Sequence, residues 1–276
     1  MASAKKNENL PAHQGGSVDL VKASANMLAE FEGMGTGLEN VTASDLLIPR
    51  LTILQGLSPQ VTQGKPEFDP NARVGMIYDV GLQQGFPDGL TIIPVHYMKQ
   101  YLEWSPRNTG KGLQGIHDSP DILDKTTKDE KGRSVLPNGN YVAETAQFYV
   151  LNVTAGFRKS FIPMVSTQLK KARRLITLAT DERLQRPDGS EFTPPLFYRQ
   201  YDLSTVPESN NEGNWMGWKI ERGPSIDTLP NFHSLMVQIK DFREALTKGD
   251  LKADIAAMAE EAGSGRVVDH DPNGAM

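Results

Sequence analysis

The chain has 276 residues, 38% of them hydrophobic and 23% charged, the balance of a polypeptide that buries a core of its own. It has no cysteine, which excludes a disulfide scaffold, a thiolate metal site and a cysteine nucleophile together. No run approaches the ~18 apolar residues that cross a bilayer, Met1–Ala12 holds no secretory h-region, and the net charge of −5 excludes a uniformly basic protein. A cytoplasmic location (the host's, if the protein is viral) and no membrane partner are expected.

Residues 1–40 read as a flexible N-terminal segment rich in Gly, Asn, Ser and Ala, in which only Val18–Phe31 has helical spacing. Gly33–Gly37 reads as a linker, since it has no strand before it, no full G-x-G-x-x-G spacing and no Lys-Ser/Thr. One α+β domain is expected over 41–247. Asp45–Gly56 reads as a strand entering the core, with Pro49 at its start or at an edge. Val74–Val80 and Leu90–Tyr97 are further strands, the second introduced by the Asp88-Gly89 turn. Ser105–Asn140, with Pro106, Pro120 and Pro137, is polar enough to be functional or mobile rather than core. Asn138-Gly139 then turns the chain into a strand-pair candidate over Tyr141–Val153, and Phe157–Val165 follows as the next strand.

Ser166–Gln185 is the clearest helix, N-capped by Ser166 and ended by Pro187-Asp188-Gly189. Leu169, Ala172, Leu175, Ile176 and Ala179 share one side and Lys170, Arg173 and Arg174 the other. Leu196–Leu203 and Asn214–Glu221 alternate as strands around a polar loop, Ser204–Gly213. Asn231–Leu246 is a second amphipathic helix. The acidic tail over 248–276 is expected to be disordered. The fold class is α+β: a mainly antiparallel sheet with two amphipathic helices and flexible termini.

Catalytic signatures are missing. His13, His96, His117, His233 and His270 have no metal-ligand spacing, and Asp118, Asp121 and Asp124 do not follow a calcium-loop pattern. No G-x-S-x-G element occurs. The expectation is a protein that is not an enzyme and has no cofactor and no metal. A nucleotide-processing activity using the carboxylates around Asp118–Asp124 is the remaining catalytic alternative.

Binding chemistry is better represented. A single strand of nucleic acid needs cations along its phosphates and flat side chains for its unstacked bases. Phe157–Arg174 carries six basic residues (Arg158, Lys159, Lys170, Lys171, Arg173, Arg174) and no acidic one, whereas Asp241–Met276 carries eight acidic against four basic. Cations and aromatics also interleave: Tyr97, Lys99, Tyr101, Trp104 and Arg107; Phe197, Tyr198, Arg199 and Tyr201; Trp215, Trp218, Lys219 and Arg222. Strand alternation sends about half of these aromatics into the core. In the first helix Lys170, Lys171, Arg173 and Arg174 fall in the first two turns, where the dipole disfavours cations, with no carboxylate until Asp181. An anion-binding helix has that arrangement. The candidate nucleic-acid contacts are therefore Lys99, Tyr101, Trp104, Arg107, Arg158, Lys159, Lys170, Lys171, Arg173, Arg174, Tyr198, Arg199, Trp215, Trp218 and Lys219.

Leu47-Ile48-Pro49-Arg50-Leu51-Thr52-Ile53-Leu54-Gln55 followed by Ser58-Pro59, and Ser166-Thr167-x-x-Lys170-x-x-Arg173, resemble segments of phage-encoded single-stranded DNA-binding proteins, in particular the RNA polymerase cofactors of podoviruses that encode their own early polymerases. The resemblance covers about residues 40–240. It implies single-stranded DNA as a partner without strong sequence specificity, Lys170 and Arg173 as DNA contacts, and recruitment of a phage-encoded RNA polymerase to opened promoters. The fold it implies is OB-like or a distinct ssDNA-binding fold; a homo-oligomer is compatible with either. Replication or recombination is the other setting in which such a protein acts. The alternative from another class is a phage protein-binding or structural protein with no nucleic-acid function.

Overall fold

The computed structural model describes residues 47–253 except Arg107, Asn108, Gly110, Lys131, Glu212 and Asp250, together with Phe31, Gly37, Glu39 and Asn40. The expected helix over 18–31, the linker over 33–37 and the acidic tail beyond 253 otherwise lie outside the described residues. In chain order the elements are β1 (Leu47–Ile48), β2 (Leu51–Ile53), β3 (Ile77–Asp79), β4 (Gln84–Phe86), β5 (Leu90–Trp104), β6 (Leu113–His117), β7 (Thr127–Lys128), β8 (Ser134–Val135), β9 (Tyr141–Asn152), β10 (Arg158–Val165), α1 (Leu169–Thr180), β11 (Leu184–Gln185), β12 (Glu191–Phe192), β13 (Arg199–Asn210), β14 (Gly213–Ser225), α2 (Phe232–Lys248) and β15 (Lys252–Ala253).

The spine is the antiparallel pair β5–β9, in register from Ile92↔Asn152 to Trp104↔Tyr141. Pro94 has no N–H to give to that ladder, and the register shifts between Pro94 and His96. At one end of the spine β13 and β14 lie outside β5, while β10 pairs with β9. At the other end β6 joins β5, and β8 and β7 join β9. The eight-stranded sheet runs from β14 to β7 without closing on itself. The expected α+β class, with a mainly antiparallel sheet and two amphipathic helices, is the one observed.

Residues 145–152 of β9 are buried without a break, because both faces of the sheet are covered. On one face Ala146, Phe148 and Val150 meet Ala172, Leu175 and Ala179 of α1 and the small sheet β2–β3–β4. On the other Tyr149 and Leu151 meet Leu235, Ile239 and Phe242 of α2. Each such aliphatic or aromatic side chain contributes about 1.5–3 kcal/mol when fully buried. Among the described residues no helix is long and apolar enough to cross a membrane.

Several expected boundaries move, each for a physical reason. The strand expected over 45–56 splits at Pro49 into β1, paired in parallel with β15, and β2. β5 continues seven residues past Tyr97, because β6 and β9 supply its ladder there. The polar stretch 105–140 folds onto this end of the spine as β6, β7 and β8, with Trp104 and Leu102 packed on one face and Leu136 on the other. Ser166 does not cap α1. It takes φ +52° and opens a 3-10 turn over Ser166–Gln168, leaving Gln168 as an N-cap with no side-chain cap bond. The helix stops at Thr180 because the following residues form the β11–β12 hairpin around Gly189, whose φ of +86° suits glycine. The polar segment 204–213 is no loop: β13 runs through it to Asn210 and pairs with β14 down to Asn210↔Gly213.

Candidate nucleic-acid interface

Burial of Ala172, Leu175 and Ala179 fixes how α1 is rotated, and the rotation turns Lys170, Arg173 and Arg174 to solvent. Among the described residues these three cations make no ion pair, and the first turn of α1 holds no acidic residue. Unfavourable with its own dipole, the stripe presents charge, backbone N–H groups and dipole to the same external anion.

Two half-buried aromatics flank the stripe. Tyr97, on β5, packs its ring on Phe148 with centroids 5.1 Å apart. Burial pushes its hydroxyl up, against the charges of Lys99 and Arg173, which pull it down. Lys99 itself is paired with Glu144 at 2.8 Å.

Trp215 lies on the other side, on the β13–β14 ribbon. Glu208 and Trp215 are direct cross-strand partners, so their side chains share a face. The Trp215 Nε1–H donates to Glu208 Oε2 at 2.9 Å, Gln168 Nε2 donates to the same oxygen at 3.2 Å, and Lys171 Nζ sits 2.6 Å from Oε1. Burial works to raise the Glu208 carboxyl, but the bonds from Lys171, Gln168 and Trp215 outweigh it and hold the group below its ordinary value. Two glutamines also cover the outer edge of β14. Gln168 Oε1 accepts from the Trp218 N–H at 3.0 Å, and the Gln55 amide both accepts from and donates to the Met216 backbone at 2.9 Å. An edge strand so covered is closed to pairing with another chain at that point.

The remaining expected contacts separate. Tyr101, Trp104 and Trp218 are 6%, 6% and 3% exposed and belong to the apolar clusters, so as placed they have no face for a base. The parity of β14 explains Trp218, which shares its face with buried Ile220 and half-buried Met216. Arg158 and Lys159 sit at the far end of β10. Arg158 bonds Gln84 and approaches Asp79, and Lys159 lies 5.4 Å from the Phe242 ring on the α2 side. Arg199 forms a two-pronged pair with Glu182, bonds the Gly223 carbonyl and lies over the Tyr198 ring. Lys219 pairs with Glu221 on the surface. Arg107 lies outside the described residues.

Sequence reasoning missed Gln168, Glu208 and Gly217. A Cβ on Gly217 would run into the Glu208 carboxylate, which lies over it. The signal was present in Asn210-Asn211-Glu212-Gly213: taken as a hairpin turn, it places Glu208 opposite Trp215. His117 is occupied by Glu103 at 3.0 Å and Asp118 by Gln100 at 2.8 Å. Among the described residues no three His, Asp or Glu side chains are grouped to hold a metal ion.

No curated protein and no solved structure matches the chain. A family model does, over residues 15–252, which spans α1, α2 and every described strand up to the first residue of β15. The chain belongs to the family of Pam3 phage gp34-like proteins, a bacteriophage family.

Proposed function

We propose that this phage protein binds single-stranded DNA without strong sequence specificity and is not an enzyme. The observation that carries the reading is the stripe Lys170, Arg173 and Arg174: three exposed cations without an ion pair among the described residues, in the dipole-disfavoured half of a well-packed helix, on a protein of net negative charge. Flanking Tyr97 and Trp215 supply faces on which unstacked bases rest, each such stacked base being worth about 1–3 kcal/mol. The resemblance to podoviral polymerase cofactors extends the reading to phage transcription, with the bound strand presenting an opened promoter to a phage-encoded RNA polymerase.

Fluorescence anisotropy with a labelled strand of about 20 nucleotides, and with its duplex, tests the reading across a salt series. Preference for the single strand with a steep negative salt slope is expected. No binding at low salt would overturn it in favour of an acidic protein partner for the stripe. The transcription role is tested separately, by retention of the phage polymerase on promoter DNA containing a melted bubble. Retention that does not depend on this protein would remove that role.

A further inference from the structure

Three donors converge on one carboxylate at the edge of the basic stripe. Lys171 Nζ, Gln168 Nε2 and Trp215 Nε1 all point at Glu208, and none of the three atoms is an acceptor. Gln168 is fixed independently of the carboxylate by its second bond, to the Trp218 N–H. Lys171 is carried by α1. The cradle thus persists when the carboxylate leaves. Glu208 itself sits on a ribbon that pairs with the main sheet only through Tyr201–Leu203, and its side chain is 22% exposed. The carboxylate reaches the cradle by lying across Gly217, the one position on that face of β14 where a side chain would block it.

We infer that Lys171, Gln168 and Trp215 form a phosphate subsite that Glu208 fills from within, and that a backbone phosphate of the bound single strand displaces the Glu208 carboxylate on binding. The inference rests on the single-stranded DNA reading above and gives it a built-in competitor. A phosphate diester supplies the same anionic oxygens to the same donors. The internal carboxylate lowers affinity for every strand alike, because it competes for a backbone phosphate site and reads no base.

The test compares the wild type with Glu208→Gln, Gly217→Ala and Lys171→Gln, using labelled oligothymidine of about 20 nucleotides in a salt series. Glu208→Gln removes the competing charge. Gly217→Ala keeps the charge and moves the carboxylate off the donors. Both are expected to bind about tenfold more tightly than the wild type at low salt, and Lys171→Gln combined with Glu208→Gln is expected to cancel the gain. The Glu208→Gln salt slope should steepen by about 0.7, the increment of one more neutralised phosphate on a single strand. Melting curves without DNA identify any variant that fails to fold, and Gly217→Ala then decides if Glu208→Gln does. Binding by the wild type that Lys170→Glu/Arg173→Glu abolishes, with folded Glu208→Gln and Gly217→Ala no tighter than wild type, overturns the subsite and leaves the single-strand reading standing. Absence of binding by the wild type and by both variants overturns the two together.

Discussion

The two long helices lie on opposite faces of one sheet and are packed alike, yet they treat charge in opposite ways. α1 buries Ala172, Leu175 and Ala179, and α2 buries Leu235, Ile239, Phe242 and Leu246. Of the cations of α2, Lys240 lies at its midpoint and Arg243 and Lys248 fall in its second half, where the dipole favours them, and Lys248 pairs with Glu244 at i,i+4. Its end is finished by Gly249 at φ +76°, whose N–H reaches back to the last-turn carbonyls. α1 has its cations in the first half, no carboxylate among them and no side-chain cap. Packing explains α2 completely. It explains only one side of α1; on the other side Lys170, Arg173 and Arg174 have no ion-pair partner among the described residues.

The comparison fails if the helices are not equals in the core. Leu175→Ala under α1 and Phe242→Ala under α2 are each expected to cost several kcal/mol, about 2–5 for the leucine and 3–5 for the phenylalanine, read as a lower urea midpoint with unchanged slope. A cost below about 1 kcal/mol for Leu175→Ala would make α1 a surface appendage, and its charge pattern would then need no ligand.

The comparison sharpens when charge alone is changed. Lys170→Glu/Arg173→Glu is expected to weaken single-stranded DNA binding at least tenfold at low salt and to flatten the salt slope by about 0.7 for each phosphate no longer neutralised. Lys240→Glu/Arg243→Glu, the same change on α2, should leave affinity where it was. Equal losses from both pairs would reduce the effect to overall charge and dissolve the distinction between the two helices.

How much of this was legible follows from where burial acts. β9, β10 and α1 were readable because covering both faces of the sheet demands unbroken apolar runs such as Phe148–Leu151, and a one-sided helix demands the 172, 175, 179 spacing. In the β13–β14 ribbon the start of β13 and Asn214–Glu221 of β14 were readable as strands, but Ser204–Asn210 was not, because it is held by ladder bonds to β14 and by bonds such as Thr205 Oγ1 to the Gly75 carbonyl, with little apolar burial to leave a pattern. That miss hid Glu208, and with it the cradle. The aromatic–cation interleaving was half informative: alternation put Trp218 inside and Trp215 outside, and neighbouring carboxylates claimed Lys99, Lys171, Arg199 and Lys219. Composition shows that cations are present, whereas only the fold shows which of them already have partners.

Those claimed cations predict a greater acid sensitivity on the α1 side than on the α2 side, beside that of Glu103, whose carboxyl is lowered by the bond from Asn140. Hydrogen bonds from Arg199, working against burial, hold the Glu182 carboxyl below its ordinary value, and Glu208 is lowered by Lys171, Gln168 and Trp215. A carboxyl whose folded pKa is depressed stabilises the fold above its unfolded pKa and loses that contribution as pH falls through the folded value. The contribution is therefore complete above about pH 5 and declines below it. Urea midpoints measured from pH 7 down to pH 3 should fall, and Glu182→Gln should make the fall shallower. On the α2 helix the one lowered carboxyl is the solvent-exposed Glu244, so Glu244→Gln should leave the curve nearly unchanged. A curve that Glu182→Gln does not alter would place the acid sensitivity elsewhere in the fold.

The smallest effect carries opposite signs in stability and in binding. Lys170 sits in the first turn of α1, where a cation opposes the dipole and an anion favours it. Lys170→Glu is thus expected to raise stability by about 0.3–1 kcal/mol while weakening the single-strand complex. Lys170→Gln should fall between the two in both measurements. On α2 the comparable change, Lys248→Glu in the last turn, should lower stability by a similar amount and leave binding alone. A Lys170→Glu protein that is less stable than the wild type would mean that Lys170 already has its anion within the fold, and α1 would then be a second α2.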